Sequence, residues 1–229
     1  MAGAQSGNRK ALLIVAGVLA VVVLAAISFV YFKKDPSTTA SGGTSATYTT
    51  SVQGAVVIAG KSAPTTVDVY EDFLCPICGR FESNYHADIA TAIEDGKIQV
   101  KFHPVAILNR ATTPTGYSTR AANAVLCAAE SGQFQAFHDK LFAEQPEEKS
   151  AGLTNDELIA KGKEVGVNDR YAQCVTSGKH SKSVDAATVA ASKDTSLQAD
   201  GKGGFGTPTL LVNGKFVDWR DDSWLSSIK

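Results

Sequence analysis

The stretch EDFLCPICGRFE, residues 71–82, decides how the rest of the chain is read. Residues 65–70, TTVDVY, are rich in β-branched side chains and read as a strand ending at Glu71-Asp72-Phe73. Pro76 suits the first position of a helix. Phe81, Tyr85, Ile89 and Ile93 then recur at four-residue steps, so a helix with one apolar stripe runs to about Gly96. Cys75 falls where the strand gives way to the helix. A thiolate there faces unpaired backbone N–H groups and the positive end of the helix dipole, which lowers its pKa. Cys78 lies one turn further on, within reach of the Cys75 sulfur but shielded by that turn. Cys75 is therefore expected to be the attacking or attacked sulfur and Cys78 the resolving one, with Pro76 and Ile77 as the dipeptide between them. A C-x-x-C is also half of a zinc site, but the remaining candidates, Cys127, Cys174 and isolated histidines, lack ligand spacing. A static disulfide is the other alternative. Strand before and helix after favour a redox pair, and no metal is expected.

Downstream, Ile98, Val100 and Phe102 alternate with Lys97, Gln99 and Lys101, the pattern of a half-buried strand. Strand, helix, strand in this order implies a parallel crossover. From about residue 105 to 195 the signals are helical. Residues 121–129 are rich in alanine, Phe134, Phe137, His138, Leu141 and Phe142 fall at helical intervals, and Thr154 with Glu157 forms a capping box. A strand over 209–212, the Asn213-Gly214 turn and a return over 215–219 make a hairpin. A short helix from about Asp221 closes the chain. Upstream, residues 55–58 form a further strand candidate.

Further upstream, residues 11–32 carry no charge, and only Gly17 and Ser28 among them are neither aliphatic nor aromatic. As a helix this run would measure about 33 Å, enough to cross a hydrocarbon core of about 30 Å. Tyr31, Phe32, Lys33 and Lys34 supply an interfacial collar. A transmembrane anchor over 11–32 is expected, preceded by a cytoplasmic stub over 1–10. The competing reading is a cleaved signal peptide with Ala26-Ile27-Ser28 as its site. In either case the remainder is exported. Residues 33–51, dominated by Ser, Thr and Gly after the two lysines, read as a flexible linker. The formal charge of the whole chain is -1 and no basic block exceeds two residues, which argues against nucleic acid as a partner.

Cys127 and Cys174 lie on two different expected helices. They are either unrelated buried thiols or, as an exported domain favours, a structural disulfide. Such a bridge would stabilise the fold by about 4 kcal/mol in the chain-entropy picture.

Three segments, EDFLCPICGRFE (71–82), FQAFHDKLF (134–142) and GTPTLLVNG (206–214), together resemble the DsbA-like thioredoxin-fold thiol:disulfide oxidoreductases, particularly their membrane-anchored actinobacterial type. The resemblance covers residues 52–229. It implies an α/β thioredoxin-like fold with a helical insertion over about 105–195, and Thr207-Pro208 as a cis-proline loop facing the active pair and holding an extended substrate. It implies an extracytoplasmic enzyme that introduces disulfides into exported proteins through Cys75 and Cys78, without a cofactor. Reoxidation would come from a quinone-linked membrane partner similar to vitamin K epoxide reductase. One departure is Pro-Ile between the cysteines, where the best-known oxidant of the family carries Pro-His. Isomerase relatives also carry Thr before the proline, but they resemble dimers with a separate N-terminal domain, for which residues 35–51 leave no room. A monomer is expected. A thiol reductase using the same pair, and a non-catalytic module that binds clients or metal, are the alternative functions.

Glu71 and Asp72 are candidates for a proton relay to Cys78, or else a solvated strand end. His86, His103, His138 and His180 read as surface or helix-packing residues. Trp219 and Trp224 are expected to pack the C-terminal edge, and Phe73 and Leu74 to form either a substrate rim or core.

Overall fold

The computed structural model describes residues 48–198 and 204–228. The expected membrane segment at 11–32, the stub before it and the first part of the linker lie outside the described residues. Among the described residues, no helix is long and apolar enough to cross a membrane.

The sheet grows from two strands whose alternation sends one set of side chains inward. In β3 (Thr65–Glu71), Val67 and Val69 are fully buried. In β4 (Ile98–Pro104), Ile98, Val100 and Phe102 are buried in the same way. The two pair in parallel with Val67 opposite Val100 and Val69 opposite Phe102, so both apolar rows line one face. A parallel pair needs a crossover, and α1 (Pro76–Glu94) supplies it, burying Phe81, Tyr85, Ile89 and Ile93. Gly96, in the left-handed region at φ 69°, ends the helix two residues past its last turn.

Two hairpins extend the sheet. On one side β2 (Val56–Ala59) pairs antiparallel with β4 and with β1 (Thr50–Gln53). On the other, β5 (Thr209–Val212) runs antiparallel to β3 and turns at Asn213 and Gly214 (φ 50° and 74°) into β6 (Lys215–Val217). Both turn residues have positive φ, the geometry that Asn-Gly accommodates at least cost. The order is β1-β2-β4-β3-β5-β6.

Three expectations need correction at the edges. The linker stops short of residue 51, because Thr50 and Ser51 already belong to β1. The second strand is shifted by one residue, and the last hairpin strand ends at Val217 rather than at 219.

Among the described residues, five α-helices fill the crossover between β4 and β5: α2 (Tyr117–Glu130), α3 (Phe134–Ala143), α4 (Asn155–Glu164), α5 (Arg170–Ser177) and α6 (Ser181–Lys193). Helix α2 is the hub. Its alanines at 121, 122, 124, 128 and 129 are buried, because small side chains let neighbouring helices approach it from several sides. The capping box forms at α4: the Thr154 hydroxyl accepts from the Glu157 N–H at 3.2 Å, and the Glu157 carboxylate from the Thr154 N–H at 2.7 Å. Cys127 and Cys174 are disulfide-bonded, tying α2 to α5. A short α7 (Ser223–Ser226) buries Trp224 against Phe81 and Tyr85, and Trp219 packs beside it, as expected of the C-terminal edge.

Candidate active site

The sheet order brings the two halves of the site together. Strand β5 is antiparallel to β3 with Thr209 opposite Tyr70, so the segment entering β5 meets the segment leaving β3. Cys75 and Thr207 are thereby neighbours although 132 residues apart, with the Cys75 Sγ 3.4 Å from the Thr207 carbonyl oxygen. The Thr207-Pro208 peptide bond is cis.

Cys75 is the N-cap of α1 and Pro76 follows at the first helical position. The main chain reaches the cap through a tight turn, the Cys75 N–H donating to the Asp72 carbonyl at 2.9 Å. Cys75 and Cys78 are free thiols; Cys75 retains 6% exposure and Cys78 none. That difference sets their chemistry. The Cys75 pKa falls from 9.0 to about 6, chiefly because the Cys78 thiol donates to the Cys75 sulfur, against the opposing effect of burial. Thr207 and the backbone N–H groups of Cys78 and Ile77 add to the lowering. The Thr207 hydroxyl is buried and favours the ionised form of both sulfurs. For Cys78, burial and then the adjacent Cys75 sulfur push the pKa well above 9.0. One sulfur is a thiolate at neutral pH, and its neighbour is a thiol held for later use.

Asp72 and Glu71 point to different places, so neither is a solvated strand end. Asp72 is fully buried and accepts from the Leu74 N–H and the Leu108 N–H, both at 2.9 Å. Burial raises its pKa to about 6, the two N–H donors oppose this, and negative charge on Cys75 raises it further. Asp72 is thus the carboxylate electrically coupled to the active thiol. Glu71 instead bonds His138 on α3, Oε1 to Nε2 at 2.7 Å. The other ring nitrogen lies 3.3 Å from Asp139 and 4.0 Å from Glu82 on α1.

Phe73, Phe102, Phe134 and Phe142 surround the His138 ring with centroids 5.0–5.7 Å away. Burial alone would discharge this imidazole, but the Glu71 and Glu82 carboxylates outweigh it and hold the pKa well above 6.5. Glu82 is pushed up to about 8 by burial, opposed by the His138 charge and reinforced by Glu71. The cluster locks β3, α1 and α3 together beneath the site.

Sequence reading placed His138 among packing or surface residues and missed its ion pair, along with Glu82 and Gln145. The Gln145 side-chain amide donates to the carbonyls of Phe73 and Cys75, each at 3.0 Å. It clamps the active loop from the helical layer. Gly79 is the matching signal in the sequence, since a Cβ there would lie 2.9 Å from the Gln145 Oε1. Of the other histidines, His86 bonds its own helix at the Glu82 carbonyl, His103 pairs with Asp68 at 2.8 Å, and His180 is buried beside the disulfide. Phe73 and Leu74 are core; Ile77, 40% exposed, is the apolar side chain at the rim.

Two groups of described residues bring three metal-ligating side chains within 4.8 Å of one another: Glu71, Glu82 and His138, and Cys127, Cys174 and His180. In the first, both imidazole nitrogens already face carboxylates.

The thiol asymmetry has a direct readout in the reduced protein. Alkylation by iodoacetamide should titrate as a single group with a midpoint near pH 6, and mass spectrometry should place the label on Cys75 alone. In the dithiol form a depressed folded pKa stabilises the fold fully above the unfolded value of 9.0 and loses that contribution as pH falls through about 6. A midpoint near 9, or equal labelling of Cys78, would contradict this arrangement.

A family model described as thioredoxin matches residues 51–229. The crystal structure of reduced DsbA from Mycobacterium tuberculosis is 29% identical, covers 76% of this chain and 92% of its own, and superposes with a TM-score of 0.64. MdbA of Corynebacterium matruchotii, a thiol-disulfide oxidoreductase, is 26% identical over 80% of this chain and 92% of its own, with a TM-score of 0.68. The serine/threonine-protein kinase PknE of Mycobacterium tuberculosis is 30% identical over 179 residues, 76% of this chain. The match covers 31% of the length of that curated relative.

Proposed function

The chain belongs to the thioredoxin family and is a DsbA-like thiol:disulfide oxidoreductase, and from that premise we propose that it works outside the cytoplasm, tethered by its N-terminal apolar segment, as an oxidase of exported proteins. The observation that carries this reading is the unequal pair of thiols at the start of α1.

In the oxidised enzyme a substrate thiolate attacks the Cys75 sulfur, the Cys75–Cys78 bond breaks, and Cys78 leaves with the electron pair and takes up a proton. A second substrate thiolate then attacks the substrate sulfur of the mixed disulfide. Cys75 departs as a thiolate, a good leaving group because its pKa is low. The substrate dithiol has lost two electrons and two protons, one proton held by Cys78 and the other released to solvent, and the enzyme is left reduced with Cys75 as the thiolate. Asp72, coupled to Cys75 and held in a dry site, is the carboxylate suited to handling the Cys78 proton, whereas Glu71 is committed to His138.

The Thr207-Pro208 segment beside the Cys75 sulfur offers an extended client a place to lie, with Ile77 as an apolar contact at its rim. A membrane-embedded, quinone-linked protein similar to vitamin K epoxide reductase would return the dithiol to the disulfide, and the N-terminal segment would keep the domain near it. The catalytic unit is a monomer in this reading, needs no cofactor of its own and has no role for nucleic acid.

Two measurements test it. Incubated with a reduced, unfolded test protein, the oxidised enzyme should transfer one disulfide per molecule within the mixing period; if only the reduced enzyme reacts, and only with disulfide-bonded substrates, the chain is a reductase. In intact cells a membrane-impermeant maleimide should label Cys75 of the full-length chain after mild reduction. Labelling only after cell lysis would place the domain on the wrong side for this function.

A further inference from the structure

The Cys127–Cys174 bridge sits in an unusual environment for a structural disulfide. Cys127 is buried, Cys174 is partly exposed, and the bridge lines a cleft of about 500 Å³ together with Glu130, Asn168, Arg170 and Lys179. His180, only 8% exposed, turns its Nε2 toward the same spot and that atom has no hydrogen-bond partner. The Nε2 lies 3.2 Å from the Glu130 Oε1 without hydrogen-bond geometry, and the Glu130 Oε2 lies 3.8 Å from the Cys174 Sγ. The two sulfurs and the imidazole nitrogen thus lie within 4.8 Å of one another, and the Glu130 carboxylate abuts both the imidazole and Cys174.

These donors suit a tetrahedral ion site once the Cys127–Cys174 bridge is opened, with Glu130, 3.2 Å from the His180 Nε2, as the fourth ligand. With metal–ligand bonds of about 2.0–2.3 Å, the edges of a tetrahedron measure about 3.3–3.8 Å. The ligands also come with suitable spacing: Cys127 and Glu130 are three apart on one face of α2, and Cys174 and His180 bracket the turn between α5 and α6. Lys179, 2.7 Å from both Glu130 oxygens, offsets part of the negative charge that two thiolates and a carboxylate would bring.

We propose that this bridge is a redox-gated zinc site, in which reduction of Cys127–Cys174 frees two thiolates that join the His180 imidazole and the Glu130 carboxylate in capturing one zinc ion. The reductant is a dithiol. Its thiolate attacks one sulfur of the bridge, its second thiol resolves the mixed disulfide, and it leaves as a cyclic disulfide while Cys127 and Cys174 become thiols. Zinc then displaces both thiol protons to solvent. Either state staples α2 to α5, by a covalent bond when oxidised and by the ion when reduced.

The test uses the full-length chain in detergent with Cys75→Ser and Cys78→Ser, so that the only remaining thiols are those of the bridge. After reduction by a dithiol and its removal under anaerobic conditions, competition with a chromophoric chelator should show one zinc per chain, and none before reduction. Cobalt in place of zinc should give the visible bands of a tetrahedral thiolate site. Zinc should also raise the melting temperature of the reduced chain and leave that of the oxidised chain unchanged. Glu130→Gln, at a partly exposed position, and His180→Ala should each weaken binding by at least about tenfold. Absence of stoichiometric zinc in the reduced, folded chain would overturn the proposal. So would affinity unchanged by both variants, or a bridge that resists dithiol until the domain unfolds.

Discussion

Replacing Cys75 by Ser should reduce the oxidation of a reduced test protein to the rate of the buffer oxidant alone. No other single change should cost as much, because in the proposed mechanism Cys75 is the sulfur the substrate attacks and the leaving group that releases it. Cys78→Ser should behave differently. Its surviving Cys75 thiol can still attack a disulfide-bonded client, but no resolving sulfur lies one turn away, so the mixed disulfide should persist and be visible on a non-reducing gel. The two variants thus separate the roles that exposure and pKa assign to the two sulfurs. Should Cys78→Ser leave no trapped species while Cys75→Ser does, the roles would be reversed and the mechanism wrong.

The second large effect should come from a residue that touches no substrate. His138→Leu removes the cation between Glu71 and Glu82, both of which are almost wholly buried. Breaking a buried ion pair by deleting one partner costs about 3–5 kcal/mol, because an uncompensated charge stays inside. That loss should appear as a lower urea midpoint with an unchanged slope. Adding Glu71→Gln to the same chain should recover most of it, since the carboxylate left without its cation is then removed.

The sign of the pH effect follows from the same groups. His138 has a folded pKa above 6.5, so its stabilisation is complete below pH 6.5 and is lost as pH rises through the raised folded value. Glu82 is raised from 4.5 to about 8, so the fold holds a proton that the unfolded chain has released, and stability again falls as pH climbs across that window. The oxidised wild-type domain should therefore lose stability between about pH 5 and 8, and Glu82→Gln should flatten that slope. A His138→Leu variant as stable as wild type at neutral pH would show that the cluster is not ionised as described.

Much of the site was legible because its signals are local. Cys-Pro-Ile-Cys after a β-branched run fixes a cap, a first helical proline and a shielded second sulfur within four residues. Asn213-Gly214 and the Thr154–Glu157 box are equally self-contained. What escaped depends on contacts between distant segments. Strand β1 has a polar sequence and pairs on one side only, so neither composition nor alternation announces it. Glu71 finds His138 across 67 residues. The hints were there: His138 shares the apolar stripe of Phe134, Phe137 and Leu141, and Glu82 lies one turn after Cys78 on the buried face of α1. A polar residue on such a stripe has to meet a partner inside. Sequence alone named no partner. Gln145 follows α3 in a segment with no motif, and its role became visible only through its bonds to the active loop.

The relatives sharpen the question of direction. A DsbA-like pair donates disulfides only if its dithiol form is stabilised, which is what a Cys75 pKa near 6 does. Ile77 in place of a polar residue works the other way, because it adds no donor to the thiolate. The most direct measurement is a glutathione redox titration of the full-length protein, read by thiol alkylation and mass spectrometry so that the Cys75–Cys78 and Cys127–Cys174 pairs are resolved. The account predicts that Cys75–Cys78 equilibrates at the oxidising end, near about −120 to −180 mV. A value at the thioredoxin end, near about −270 mV, would make the chain a reductase, and a pair that never exchanges would contradict catalysis altogether.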